Sequence, residues 1–271
     1  MIRREVLFGE GPRQWLLISQ VEHARLSGQL AEKCLSKFGG ENPAIDHVRE
    51  ELLSAMYHHD DGWARWDQAP RLDPEKGRPL SFSELPPAGA IKVWEGSIEA
   101  ARAIGELAAW TVAGHFSALL AITSTHAGEA FAKDWIAKLA SQRAEWFVQW
   151  HTRNQSLHTA ELAGEALKWL QLFDILSLWP CAQYPLAGEA VEDLPEPFLN
   201  VDNWVLVREI KPQFESARRE PYRIRFQPWP FQEREIPLRA AAHLVPVKHY
   251  SSAKELLAAR TPFVTEWVLT G

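Results

Sequence analysis

The segment YHHDDGWARWD at residues 57–67 concentrates groups that bind metal ions and accept protons. It holds two histidines, three aspartates and two tryptophans. The end of a helix needs one acidic or polar residue for capping and an aromatic residue for packing, which accounts for only part of this composition. The surplus of imidazole and carboxylate groups indicates a chemical role for the segment.

Three other segments offer a metal ligand on an apolar helical pattern: VEHARLSG with His23, ITSTHAG with His126, and LQLFDILSL with Asp174. An unpaired carboxylate at Asp174 would be very costly to bury, so it needs a cation or several hydrogen-bond donors. Nitrogen and oxygen ligands on separate helices, without a thiolate, are typical of a zinc, iron, manganese or magnesium site in a bundle. Hydrogen-bonded histidine rings and a salt bridge at Asp174 are the alternatives.

Helical periodicity predicts the elements that position these residues. One helix follows residue 20 and places His23 near its start, and a second ends at Gly62, which places His58 to Asp61 in its last turn. Further helices are predicted at about 95–126, 129–151 and 158–179. The first 180 residues are therefore predicted to be mainly helical.

Strand patterns appear mainly near the carboxy terminus, in YRIRFQPWPF, EIPLRAAAHLVPV and TEWVLTG. They predict a small antiparallel sheet, joined by the amino-terminal residues 2–8 and 15–19. Prolines 228, 230 and 237 place these strands at edges or bends. We expect one domain over residues 1–271, with a helical core at about 20–180 and a β-containing part at about 195–271.

Composition narrows the function classes. The chain of 271 residues is 46% hydrophobic and 24% charged, with a net charge of −6, so neither disorder nor a basic nucleic-acid surface is indicated. No run of about 18 apolar residues suggests a membrane span. Two distant cysteines, Cys34 and Cys181, form no CxxC motif. We expect a cytoplasmic protein that acts on a small molecule, with no nucleic-acid or membrane partner; the oligomeric state is left open.

The ordered residues resemble the HD superfamily. Its pattern is a histidine, an adjacent histidine and aspartate commonly followed by glycine, and a distant helical aspartate. Here this order is His23, His59 with Asp60 and Gly62, and Asp174 in FDILSL. The segments QVEHARLSGQLA, HHDDGWARWDQAP, ALLAITSTHAG, LFDILSL and PWPF are also similar to a bacterial HD-like family known only as a domain of unknown function. The resemblance implies an HD-like, mainly α-helical bundle with a small sheet.

The resemblance also implies ligands. His23, His59, Asp60 and Asp174 match a mononuclear set, and His126 matches an additional histidine of two-metal sites. Because His115 and His126 are eleven residues apart, an α-helix separates them by roughly 16 Å, and one compact site cannot use both. The resemblance favours His126, and we interpret His115 as a polar residue at the far end of the helix. The expected cofactor is one or two divalent ions of iron, manganese, zinc or nickel.

Residues around the motif are assigned by position. Asp60, Asp61 and His58 are the candidate acid-base residues, and His58 and Asp61 alternatively orient the ligands. The irregular loop at 67–90 is predicted to form the mouth of the site, with Trp63, Trp66 and Asp67 as substrate contacts or as loop anchors. Many phosphohydrolases of the superfamily have a basic residue after the motif glycine. Here Trp63 stands there, so Lys92 or Arg65 is the candidate replacement.

The resulting functional prediction is a metal-dependent hydrolase of a phosphoester or nucleotide-like small molecule, acting through metal-activated water. A non-catalytic or regulatory metal-binding protein and a di-iron oxygenase on the same scaffold are the alternatives. The sequence contains no Walker loop, GxGxxG, nucleophile elbow or HExxH motif, so it gives no support for nucleotide cofactors or serine acyl chemistry.

Overall fold

The computed structural model of the protein describes residues 1–8, 10–38, 43–122, 130–182, 200–201, 204–205, 222–225, 229 and 231–271. The fold is mainly helical, as predicted. The helices are α1 (Gln20–Phe38), α2 (Pro43–His58), α3 (Ala64–Gln68), α4 (Pro87–Ile104), α5 (Glu106–Ile122), α6 (Ala130–Arg153), α7 (Ala160–Ala182) and α8 (Ala253–Ala258). Short 3-10 turns occupy Asp61–Trp63 and Phe82–Glu84. His126 lies outside the described residues.

The predicted helix at about 95–126 is interrupted at Gly105, where α4 ends and α5 begins one residue later. The carboxylate of Glu51 on α2 lies against this break and accepts a hydrogen bond from the backbone N–H of Ala108, at 3.0 Å. A Cβ atom on residue 105 would lie 2.1 Å from Glu51 Oε1. A larger residue at 105 would therefore have to displace the Glu51 carboxylate, whose hydrogen bond holds the start of α5 against α2.

Strands from both ends of the chain form one five-stranded sheet in the order β1-β2-β6-β7-β5. The strands are β1 (Ile2–Val6), β2 (Gln14–Ile18), β5 (Tyr222–Arg225), β6 (Glu235–Pro246) and β7 (Thr261–Thr270). The short strands β3 (Asn200–Val201) and β4 (Trp204–Val205) pair separately. The prediction that the amino-terminal strands join the carboxy-terminal ones is confirmed.

Two details of the predicted sheet need correction. The sheet is mixed, because β5 lies beyond β7 instead of beside β6 and therefore runs parallel to β7. The strand that contains Pro237 is β6, which lies inside the sheet between β2 and β7. Strand β2 pairs only with residues 242–246 of β6, so at Pro237 only β7 lies beside β6. This part of β6 is therefore an edge of the sheet, where a residue without an N–H is tolerated.

The helices and the sheet share a hydrophobic core. Helix α1 packs against α2 and α7, and α5 packs against α2, α6 and α7. Alternate side chains of β6, including Ile236, Leu238 and Ala240, are buried in the same cluster as the helical core. Cys34 and Cys181 are buried free thiols. Within the described ranges, no helix has the length and apolar character needed to cross a membrane.

The turn that follows α2 packs directly on the backbone of α4. A Cβ atom at Gly62 would lie 2.0 Å from the carbonyl oxygen of Val93 and 2.5 Å from the backbone nitrogen of Ser97. The N–H of Gly62 also donates to Ser97 Oγ, at 3.0 Å. Only glycine permits this approach, which holds the neighbouring Asp60 in place.

We predict that Gly62→Ala lowers the free energy of unfolding by about 1–3 kcal/mol, because the added methyl group meets backbone that cannot move independently. The control is Gly164→Ala in α7, where no atom lies within 4 Å of the added Cβ and where alanine should stabilise the helix by up to about 1 kcal/mol. Urea titration of both variants provides the comparison. Equal stability of the two variants would contradict the close packing at Gly62.

Candidate metal centre

Five buried polar residues from four helical segments converge in the interior. His23 lies in the first turns of α1, His59 and Asp60 directly follow α2, His115 lies in α5, and Asp174 lies in α7. Each is at most 6% exposed. His23 and Asp174 are 151 positions apart, yet His23 Nε2 and Asp174 Oδ1 are 3.3 Å apart. The predicted convergence of His23, His59, Asp60 and Asp174 is present in the structure.

The spacing of the donor atoms suits a metal ion. One ligand atom each from His23, His59 and Asp60 lie within 4.8 Å of one another. Asp174 Oδ1 is 3.1 Å from His59 Nε2, and Asp60 Oδ2 is 3.3 Å from His23 Nδ1 and 3.7 Å from His59 Nε2. Ligand atoms about 2.1 Å from a tetrahedral ion are about 3.4 Å apart. The His23, His59 and Asp60 group could therefore hold a metal ion.

Backbone carbonyls orient two of the histidine rings. His59 Nδ1 is 2.8 Å from the carbonyl oxygen of Met56. When Nδ1–H donates this hydrogen bond, the Nε2 lone pair points at Asp60 and Asp174. His23 Nε2 is 3.1 Å from the carbonyl oxygen of Asp174, and its Nδ1 has no hydrogen-bond partner in the described part of the chain. Both rings thus present a nitrogen to the carboxylates.

Burial and neighbouring charges shift the pKa values of His59, Asp174 and His115. Burial opposes protonation of His59, but the negative charges of Asp60 and Asp174 outweigh it and raise the pKa of His59 to about 9. Burial also opposes ionisation of Asp174, yet His115, His59 and His23 together hold its pKa below the usual range. Burial lowers the pKa of His115. Without a metal ion, protonated His59 and ionised Asp174 therefore form a buried ion pair.

His115 is the site residue that the sequence interpretation misplaced. It does not lie away from the cluster: its Nε2 is 3.7 Å from Asp174 Oδ2, and its ring centroid is 5.8 Å from that of His59. A signal was present, because His115 interrupts the apolar run of AAWTVAGHFSALLAI in the same way that Asp174 interrupts its helix. The competing candidate, His126, falls outside the described residues.

His58 and Asp61 flank the cluster without joining it. His58 Nδ1 and Asp61 Oδ2 are 2.9 Å apart, and the two side chains are 50% and 33% exposed. In the described part of the chain, no hydrogen bond joins either side chain to His59 or Asp60. The predicted role in orienting the ligands therefore lacks the contact that it requires, and an acid-base role stays a prediction.

Trp63 and Trp66 are packing residues of the segment after α2. Both are buried in a small cluster with Leu85 and Ala90, and their rings meet nearly at right angles with centroids 6.1 Å apart. The guanidinium carbon of Arg71 lies 4.9 Å from the Trp66 ring. This is the loop-anchoring alternative considered for these residues; a contact with substrate remains a prediction.

The other predicted substrate contacts lie in different surroundings. Asp67 Oδ2 accepts a hydrogen bond from the backbone N–H of Gln20, at 2.9 Å, and Oδ1 is 2.8 Å from the α-amino nitrogen of Met1. Asp67 thus ties the start of α1 to β1. Lys92 and Arg65 are exposed, and no described contact joins either side chain to the five buried residues.

The chain matches the sequence model of a family described as "Protein of unknown function (DUF3891)" over residues 6–247. The chain belongs to this family. No curated protein and no solved structure matches it. The similarity to a family of unknown function, predicted from the motifs, is confirmed across most of the chain, and the family match assigns no chemistry to the buried cluster.

The charge distribution in this family member makes metal binding and metal-free stability depend on pH in opposite directions. Because the folded-state pKa of His59 is raised to about 9, its contribution to stability is complete below about pH 6.5 and is lost as the pH rises through 9. A metal ion must displace the same proton. Metal affinity should therefore rise about tenfold per pH unit between pH 6.5 and 8.5.

Two measurements check this prediction: thermal unfolding of the chelator-treated protein across this range, and Mn²⁺ affinity by competition with a chelator of known affinity. Metal affinity that does not change with pH would contradict the assignment of His59 as a protonated group that becomes a ligand.

Proposed function

We propose that the protein is a metal-dependent hydrolase that uses the buried cluster to act on a phosphoester or nucleotide-like small molecule. The observation that carries the proposal is the meeting of His23, His59 and Asp60 with Asp174 in the interior of the helices. A divalent ion bound there would lower the pKa of a bound water and polarise a phosphoryl oxygen.

Charge balance supports a divalent ion. The ionised carboxylates of Asp60 and Asp174 carry two negative charges, and the histidines are neutral when they act as ligands. One M²⁺ ion therefore neutralises the buried centre, whereas in its absence a proton on His59 compensates only in part. Imidazole and carboxylate donors suit zinc, iron, manganese or nickel.

The ligand assignment follows the contacts. His23, His59, Asp60 and Asp174 are the proposed ligands, and His115, whose Nε2 faces the second oxygen of Asp174, is a proposed additional ligand. Among the candidate acid-base residues only Asp60 is in the cluster. We therefore assign the acceptance of a proton from water to Asp60.

The phosphoester class rests on the resemblance to the HD superfamily, which the order and helical contexts of the ligands support. The mainly helical fold is consistent with that relationship. A phosphate group also needs compensating positive charge. Since Lys92 and Arg65 have no described contact with the cluster, the proposal assigns that charge to the metal ion itself.

Adjacent aspartates provide a matched test of the centre. We predict that Asp60→Ala abolishes metal binding and hydrolysis, because it deletes an anionic ligand, whereas Asp61→Ala retains at least most of the metal affinity. Metal content by mass spectrometry and affinity by calorimetry distinguish the two variants. Equal loss of metal from both, with unchanged circular dichroism, would show that the ligands are assigned wrongly.

A hydrolysis screen tests the activity separately. Protein loaded with Mn²⁺, Fe²⁺, Zn²⁺ or Ni²⁺ is assayed on phosphomonoesters, phosphodiesters and nucleotides, with Asp60→Ala as the background control. The proposal expects metal-dependent release of product from at least one class. Stoichiometric metal binding without hydrolysis of any class would contradict the hydrolase proposal and favour a regulatory metal-binding protein.

A further inference from the structure

Two polar atoms on one side of α5 are buried without a hydrogen-bond partner in the described part of the chain: Thr111 Oγ1 and His115 Nδ1. Thr111 is 0% exposed and His115 is 1% exposed. Leaving such an atom unsatisfied costs about 1–3 kcal/mol. Because the two residues are one helical turn apart, their Cβ atoms are about 5–6 Å from each other.

The helical spacing places these two side chains on the same side of α5. In an α-helix the Cα–Cβ bonds tilt toward the amino terminus, so a side chain lies over the turn that precedes it. His115 therefore lies over the turn that contains Thr111. No direct hydrogen bond joins the two atoms in the structure. Because a hydroxyl group both donates and accepts hydrogen bonds, one buried water between the two atoms would satisfy both.

We propose that Thr111 is a positioning residue of the metal centre: one buried water accepts the Nδ1–H of His115 and donates to the Thr111 hydroxyl. This fixes the tautomer of His115 and leaves its Nε2 lone pair, 3.7 Å from Asp174 Oδ2, available to the metal ion. The carbonyl of Met56 does the same for His59. The inference rests on the metal centre of the proposed function.

Ser27 in α1 provides a matched control. Its hydroxyl is also fully buried and unpaired in the described part of the chain, and it lies one turn from His23. However, Ser27 follows His23 in the helix, so the His23 ring leans away from it. Nε2 of His23 already faces the carbonyl of Asp174. Ser27 should therefore have no part in orienting a ligand.

The test compares wild type, Thr111→Val, Thr111→Ser and Ser27→Ala for Co²⁺ affinity, measured by chelator competition, and for the visible absorption of bound Co²⁺. Valine keeps the shape of threonine but lacks the hydroxyl, so Thr111→Val should bind Co²⁺ about 10- to 100-fold more weakly and alter the spectrum. Thr111→Ser, which restores the hydroxyl, should stay within about threefold of wild type, as should Ser27→Ala.

Folding is checked separately from metal binding. Removing the hydroxyl takes away an acceptor for the buried Nδ1–H of His115, so metal-free Thr111→Val should be less stable than wild type by up to about 1–3 kcal/mol. Affinity is therefore compared at a temperature at which circular dichroism shows every variant to be folded, so that weaker Co²⁺ binding is not caused by unfolding. Nitrogen-15 NMR of the wild type supplies a second measurement: the metal-free protein should show His115 protonated at Nδ1.

Any of four results would overturn the inference: wild-type Co²⁺ affinity in Thr111→Val, loss of affinity in Thr111→Ser, a loss in Ser27→Ala equal to that in Thr111→Val, or His115 protonated at Nε2. The first three leave the metal centre intact as long as the wild type binds Co²⁺. Failure of the wild type to bind Co²⁺, Mn²⁺, Fe²⁺, Zn²⁺ or Ni²⁺ would overturn both the inference and the proposed function.

Discussion

The burial of Asp174 is the constraint on which the helical core depends. A carboxylate removed from water is stable only when positive charge or donors surround it, and here three histidines from α1, the end of α2 and α5 meet it. Each helix must hold its position for the charge to be compensated. The polar cluster therefore specifies how α1, α2, α5 and α7 pack, as well as forming the candidate site.

Polar contacts outside the cluster hold those helices at the required positions. Glu51 joins α2 to the first turn of α5, and the Asp67 carboxylate accepts a hydrogen bond at the start of α1. The hydroxyl of Ser97 accepts the N–H of Gly62 and fixes the turn that carries Asp60. In each case a side chain satisfies a backbone N–H group at or near the start of a helix or turn. The site is thus supported from several elements that are distant in sequence.

Most residues of the buried cluster can be predicted from the sequence, because the cost of burying charged and polar groups is visible there. Asp174 stands in an apolar helix, and the adjacent His59 and Asp60 directly follow another helix, shortly before Gly62, so their convergence follows from the cost of burying charge. The same reasoning applies to His115, which also interrupts an apolar helix. However, the helical rise between His115 and His126 means that one compact site cannot contain both residues, and the motif resemblance favoured His126. Local sequence does not reveal which of two histidines on one apolar segment faces the site, since that depends on how α5 is anchored by Glu51.

Other features depend on tertiary contacts that have no local signal. The mixed sheet arises because β5 lies beside β7, and strand patterns do not encode which edge a strand joins. Trp63 and Trp66 are residue types that often contact ligands. In the structure, however, apolar residues of α4 and of the loop before it bury both rings. The mainly helical class and the contribution of the amino-terminal strands were predictable because long periodic segments carry strong patterns.

Anomalous X-ray diffraction at the absorption edge of a bound transition metal tests the metal centre most directly. We predict one strong peak enclosed by His23, His59, Asp60 and Asp174, with ligand distances of about 2.0–2.3 Å. Coordination should replace the direct hydrogen bond between His59 and Asp174. Crystals saturated with metal that show no peak at the cluster, and retain the hydrogen bond between His59 Nε2 and Asp174 Oδ1, would contradict it.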